Sequence, residues 1–162
     1  MSGTEFNHLL KAQKSVDWMN YEKLSAQCYL CSSRLTVAQL LEKKGKFSKK
    51  EGFVQLLDYK KGVLRKVLPA YFNAVIRKGD QIMQSKEVAN EMLMLLSGEM
   101  HVGKAIRSCG IRNSDKFILF IAGKAVAPML KSELGLVSMK KMELRLDTES
   151  SSEIAAGPLL EN

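Results

Sequence analysis

The most regular pattern of apolar and polar positions in the chain lies between residues 85 and 109. Apolar residues recur three or four positions apart over Ser85–Leu96 and again over Val102–Cys109, which is the spacing of helix faces. Ser97-Gly98 separates the two runs, and Gly110 stands where a left-handed C-terminal cap would end the second. We therefore predict two helices joined by a tight turn.

Uninterrupted or alternating apolar runs predict the strands of a sheet. Phe117–Ala122 has no polar member and predicts a strand that is buried on both faces. Shorter runs predict strands at Ala26–Ser32 and Phe53–Leu57, and alternation over Val137–Leu146 predicts an edge strand. Four strands are expected.

Helical patterns between these strands predict the remaining elements. One helix is expected to be capped by Thr36 and ended by Gly45. The next is expected to begin its regular part near Pro69, because proline suits a first turn and breaks an interior one. A further helix is expected over Val126–Leu134.

The order of elements predicts an α+β fold, in which helices cover an antiparallel or mixed sheet. We expect residues 1–146 to form a single domain, within which residues 1–25 fit a short amphipathic helix no better than an irregular arm. The acidic, serine-rich tail 147–162 is expected either to be disordered or to dock through its apolar residues, which are Ile154, Leu159 and Leu160.

The composition is that of a soluble protein in a reducing compartment. Hydrophobic residues make up 46% of the 162 positions, which is ordinary for a globular core, and no apolar run is long enough to span a membrane. The first ten residues lack the pattern of a secretory signal, and three cysteines do not suggest a disulfide framework. We expect a cytoplasmic protein.

The net charge of +8 is unevenly distributed. The segment from Met142 onward carries −4, which leaves +12 on residues 1–141. A basic body favours a polyanionic partner such as tRNA, because binding phosphates releases counterions. The alternative is an ordinary solvated basic surface.

No motif for catalysis, for a cofactor or for a metal stands out. Cys28 and Cys31 have CxxC spacing, but a zinc site needs about four ligands, and a strand would point the two sulfurs to opposite faces. The two histidines have no acidic partner in a recognisable motif, and no phosphate-binding glycine loop is present. We predict no enzyme activity, no cofactor and no metal.

The central stretch carries a resemblance to a known family. An apolar helix is followed by Ser97-Gly98-Glu99, by a helix with Lys104-Ala105-Ile106, by Cys109-Gly110-Ile111 and by an apolar strand. This order is similar to that of the small kinase-binding subunit of the KEOPS complex, called TPRKB in animals. The resemblance implies an α+β fold, binding to the small atypical kinase of that complex, a role in making threonylcarbamoyl-adenosine on tRNA, and binding of the tRNA 3′ CCA end. This chain has Met100 and His101 where many members have arginine and glutamine.

The helix that contains Met92, Leu93 and Met94 is apolar around most of its circumference. One interpretation is that part of this surface binds a partner, since methionine-rich faces adapt to other proteins. The other interpretation is that the helix is buried in its own domain. Because the resemblance implies a kinase partner, we predict that Met92, Leu93 and Met94 contact the kinase.

Three basic residues are candidates for RNA contact. Lys104 and Arg107 lie three apart on one predicted helix face, opposite Val102 and Ile106, and Arg112 follows in the next turn. They can bind phosphates, or Arg107 can simply complement the helix dipole. The lysines between Lys43 and Lys50 form a second candidate in a predicted loop around Phe47.

The sequence therefore predicts a non-catalytic accessory subunit of a KEOPS-like complex, with the atypical kinase and tRNA as partners and no membrane contact. The alternative is a stand-alone basic nucleic-acid-binding protein, or an enzyme without a recognisable motif.

Overall fold

The computed structural model describes residues 26–48, 52–60, 63–123 and 127–144. The described elements are, in chain order, β1 (Gln27–Ser33), α1 (Val37–Ser48), β2 (Gly52–Asp58), α2 (Val63–Gly79), α3 (Val88–Ser97), α4 (Val102–Cys109), β3 (Phe117–Gly123), α5 (Ala127–Glu133) and β4 (Leu136–Met142). The predicted α+β class is confirmed, and the predictions for residues 1–25 and 147–162 lie outside the described residues. None of the described helices has the length and apolar character that a membrane crossing requires.

The chain divides into two compact units. A helical unit contains α2, α3 and α4, and a sheet unit contains all four strands together with α1 and α5. Whether residues 1–146 behave as one domain stays a prediction.

The sheet is antiparallel throughout, with the strand order β2-β3-β1-β4. The predicted central strand is confirmed, because every residue of Phe117–Ala122 is at most 1% exposed. The strand β4 pairs with β1 alone, as expected of an edge strand. On one face of the sheet, Leu119 and Ile121 pack in a cluster with Leu40 of α1 and Leu130 of α5. The two helices therefore cover this face.

The helix α1 begins as predicted and ends later than predicted. The Thr36 hydroxyl accepts a hydrogen bond from the Gln39 amide (3.1 Å), and the Gln39 side chain accepts one from the Thr36 amide (2.9 Å). This reciprocal pair is a capping box. The helix then continues through Gly45, because Phe47 packs against the sheet core and fixes the last turn. The predicted basic loop is wrong from Lys43 to Phe47, which are helical, and Lys49 and Lys50 are not described.

The helix α2 begins at Val63, so the prediction of a start near Pro69 is wrong. A proline inside a helix costs about 3 kcal/mol, because it removes one hydrogen bond and clashes with the preceding turn. Here the turns on both sides of Pro69 are buried over residues 67–74. Burial of this apolar surface offsets the cost.

The two predicted helices α3 and α4 are joined at Gly98, as expected. Gly98 adopts the left-handed conformation (φ 75°), and its amide donates to the Met94 carbonyl at 2.8 Å. The prediction of a similar cap at Gly110 is wrong. Gly110 has no positive φ and instead forms an isolated bridge with Leu57, which leads the chain into the sheet unit.

Candidate partner-binding and RNA-binding surfaces

The apolar surface of α3 is buried within this chain. Met92 is 0% exposed, Leu93 is 2% exposed and Met94 is 1% exposed. This corrects the expectation that part of the helix is open to a partner, because no exposed face is left around these three side chains. In this conformation they belong to the protein's own core, and a partner of the helical unit meets other residues.

The same core contains a buried ion pair that the sequence did not suggest. Arg77 of α2 and Glu91 of α3 are both 0% exposed, and the Arg77 Nη1 atom lies 3.8 Å from a carboxylate oxygen of Glu91. The Gln84 amide donates hydrogen bonds to both Glu91 oxygens, at 2.7 and 3.2 Å. Burial lowers the pKa of the Arg77 guanidinium, and the Glu91 carboxylate opposes this shift. The pair joins α2 to α3 and has no solvent-facing group for chemistry.

The exposed surface of the helical unit includes a basic face on α4. Lys104 and Arg107 are both exposed, and Ala105 is the buried residue of this helix. Arg107 extends back along the helix, since a Cβ at Gly103 would lie 3.5 Å from its Nη1 atom. Ile106 was expected on the opposite, inward face, but it is 40% exposed. The face is therefore basic with an apolar member.

Arg112, the third candidate for RNA contact, lies in the sheet unit rather than in the helical unit. It is exposed, in the connection that leads into β3. A turn follows it, in which the Asp115 amide donates to the Asn113 side-chain oxygen at 2.8 Å. The three predicted residues thus divide between two units.

The sheet unit also has an aromatic and cationic pair that the sequence analysis missed. Tyr59 follows β2, Lys116 precedes β3, and the register pairs Asp58 with Phe117. The two side chains consequently meet, with Lys116 Nζ lying 4.4 Å from the centroid of the Tyr59 ring. A lone aromatic after one strand and a lysine before its neighbour would have been the signal, had the pairing of the strands been known.

The two cysteines of the CxxC pattern are inert in this fold. Cys28 and Cys31 lie in β1 at 0% and 2% exposure, and burial raises the pKa of each thiol to about 12. Among the residues that the structure describes, no group of histidine, cysteine or acidic side chains is placed to hold a metal ion.

Comparison with known proteins gives one family. The family model described as "Kinase binding protein CGI-121" matches residues 63–155, which is more than half of the chain. The match begins at the first residue of α2 and includes the whole helical unit described here, together with β3, α5 and β4. No curated protein matches the chain.

Proposed function

The chain belongs to the family of kinase binding protein CGI-121, and from this membership we propose that it is an accessory subunit of a KEOPS-like tRNA-modifying complex. In this role it binds the small atypical kinase of the complex and the 3′ CCA end of tRNA, in the cytoplasm, without catalysing a reaction itself. The family match over residues 63–155 is the observation that carries the proposal.

We assign the kinase contact to exposed side chains within the matched region. Met92, Leu93 and Met94 are buried, and an interface forms between surfaces that are accessible in the free protein. In the described part of the helical unit, the exposed large apolar side chains are Val75 on α2, at 42%, and Ile106 on α4, at 40%. An apolar side chain exposed to this extent gains by being covered, since its burial removes apolar surface from water.

The kinase contact can be tested with matched charge substitutions. Val75→Asp and Ile106→Asp each place a carboxylate at a proposed contact, where an unpaired buried charge opposes binding strongly. Leu41→Asp is the control, because Leu41 is 41% exposed but lies on α1, before the matched region.

Binding of each variant to the purified kinase is measured by calorimetry, with circular dichroism as the check of folding. Loss of binding in at least one helical-unit variant, with retention in Leu41→Asp, is the expected result. Normal binding of both helical-unit variants would contradict the assignment.

The RNA contact is assigned to Lys104 and Arg107 of α4, with Arg112 as a further phosphate ligand. The support is the exposure of all three residues and the charge of +12 on residues 1–141. Each phosphate of a single strand that a protein neutralises contributes about −0.7 to the slope of log affinity against log salt. A small local site therefore has a shallow salt slope.

The RNA contact can be tested by titrating intact and CCA-trimmed tRNA at two salt concentrations. Lys104→Glu/Arg107→Glu is compared with Lys140→Glu/Lys141→Glu, which makes the same change in charge at exposed residues of β4. We expect the α4 variant to lose affinity for intact tRNA and the difference between the two tRNAs. Equal affinity of the wild type for both tRNAs would refute 3′-end recognition, and equal losses in the two variants would indicate a nonspecific field.

A further inference from the structure

One end of the sheet brings together four chain segments that are far apart in the sequence. Because neighbouring strands are antiparallel, the ends of β2 and β1 lie beside the starts of β3 and β4. The Ser33 amide at the end of β1 donates to the Ser114 carbonyl before β3 at 2.7 Å, and Ser33 also pairs with Leu136 of β4. We call this end of the sheet the strand-end rim, and define it by Tyr59, Lys116, Ser114, Arg34 and Val137.

A cavity of about 450 Å³ opens at the β4 side of the strand-end rim. Two cationic side chains line it, from Arg34 after β1 and from Lys131 of α5, and Ser132 adds a hydroxyl group. The remaining walls are formed by Pro128, Gly135, Leu136 and Val137. Val137 is 70% exposed, so the cavity has an apolar side next to its charged side.

The position of Arg34 in this cavity is fixed by its neighbours. The Arg34 amide donates to the Gly135 carbonyl at 3.1 Å, and the Ser33 hydroxyl donates to the Leu134 carbonyl at 2.6 Å. Gly135 has a φ of 57°, and a Cβ there would lie 3.2 Å from Arg34 Cγ and Nε. The stem of Arg34 therefore lies directly on the Gly135 backbone, and this close approach requires glycine.

The charges in this cavity are of one sign. No carboxylate is among its lining residues, and the side chains of Arg34 and Lys131 make no ion pair with another residue in the described ranges. The acidic residue of α5, Glu133, lines a separate groove with Lys46, Phe47 and Met129. Two converging cations and a hydroxyl group suit a phosphate, which accepts charge-assisted hydrogen bonds.

The other side of the strand-end rim carries Tyr59, which is 39% exposed and has Lys116 against its ring. The rim crosses the four strands from β2 to β4, a distance of about 14 Å at the usual strand spacing. An aromatic ring and a cationic pocket at this separation are the two parts of a single-strand binding surface, in which a base stacks and the backbone is held electrostatically.

We propose that the strand-end rim binds single-stranded RNA, with a phosphate in the cavity between Arg34 and Lys131 and a base stacked on Tyr59. The proposal rests on the RNA-binding role proposed above, but it uses a different surface from Lys104 and Arg107. It also chooses an RNA strand over a free phosphate compound, because a small ligand in the cavity would leave Tyr59 unused.

The test is fluorescence anisotropy with a labelled single-stranded RNA of twelve nucleotides at two salt concentrations. Arg34→Glu/Lys131→Glu removes the cavity's cations, and Lys140→Glu/Lys141→Glu is the control with the same change in charge. The rim variant should bind at least tenfold more weakly than the control, and its salt slope should fall by about 1.4, which is the contribution of two single-strand phosphates. Equal weakening in both variants, or none in the rim variant, would overturn the proposal.

Tyr59 supplies a test that does not depend on charge. Tyr59→Ala should weaken binding of the same RNA about tenfold through lost stacking, whereas Tyr59→Phe, which keeps the ring, should bind as the wild type does. Equal affinity of Tyr59→Ala and Tyr59→Phe would contradict the stacking role.

Two further arms separate the sources of phosphate and the two RNA surfaces. Inorganic phosphate and adenosine monophosphate should displace the RNA only weakly, and either of them binding as tightly as the RNA would overturn the choice of an RNA strand. Lys104→Glu/Arg107→Glu should keep binding the short RNA. If that variant loses intact tRNA while the rim variants bind all RNA normally, the rim proposal alone fails; the opposite pattern removes the α4 assignment alone.

Discussion

The buried pair of Arg77 and Glu91 should be a main determinant of stability in the helical unit. Glu91→Gln removes the negative charge but keeps a side-chain oxygen that can accept the Gln84 amide. It leaves the Arg77 guanidinium at 0% exposure, with none of its nitrogens hydrogen-bonded among the described residues. Breaking one side of a buried pair typically costs about 3–5 kcal/mol. For a chain of this size that corresponds to a melting temperature lower by roughly 10 °C or more.

An exposed pair with the same separation provides the control. Lys46 and Glu42 on α1 also lie 3.8 Å apart, but their side chains are 71% and 70% exposed. Exposed pairs contribute about 0.5 kcal/mol or less, so Glu42→Gln should barely change the free energy of unfolding. The contrast between the two substitutions isolates burial.

A double-mutant cycle then tests whether the cost comes from an unpaired charge. Arg77→Met/Glu91→Gln removes both charges and should be within about 1–2 kcal/mol of the wild type, so that the two single costs are strongly non-additive. The free energies are measured by urea unfolding, followed by circular dichroism. Glu91→Gln costing no more than Glu42→Gln, or additive single costs, would refute the reasoning.

The remaining predictions concern glycines and thiols. Gly45→Ala should stabilise the protein by about 0.5–1 kcal/mol, because Gly45 lies in α1 with open space at its Cβ position. Gly135→Ala should destabilise by at least about 1 kcal/mol, because of its left-handed backbone and the crowding against Arg34, and thermal unfolding distinguishes the two results. At pH 8 the thiols of Cys28 and Cys31, with pKa values raised by burial to about 12, should resist alkylation that labels them after unfolding, as mass spectrometry of the native protein would show. Rapid labelling of the native protein would contradict their burial.

The sequence predicts best where a pattern has only one structural solution. Phe117–Ala122 has no polar residue and lies between a turn and a glycine, so a central strand followed directly. The helices α3 and α4 followed from their periodicity and from Gly98 between them. The errors arose at Gly45 and Pro69, where packing of neighbouring residues overrides the local tendency to end a helix.

The candidate surfaces were less predictable, because their residues meet only through tertiary structure. An apolar helix such as the one with Met92 shows the same pattern whether its own chain or a partner covers it. Arg77 looks like an ordinary basic residue near a helix end, and only the packing of α2 on α3 places it beside Glu91. Arg34 and Lys131 share a cavity because β1 and β4 are neighbours, and the strand order is not visible in the sequence.

The central claim, that this member of the CGI-121 family works as a kinase-binding subunit, is tested most directly by purifying the tagged full-length chain from cells. Proteins that remain bound are identified by mass spectrometry, with Leu41→Asp and the buried-pair variant Arg77→Met/Glu91→Gln as folded controls. The account predicts recovery of a small atypical kinase together with a carbamoyl-transfer subunit. Recovery of the chain without either of these proteins, or with enzymatic turnover of its own, would contradict the account.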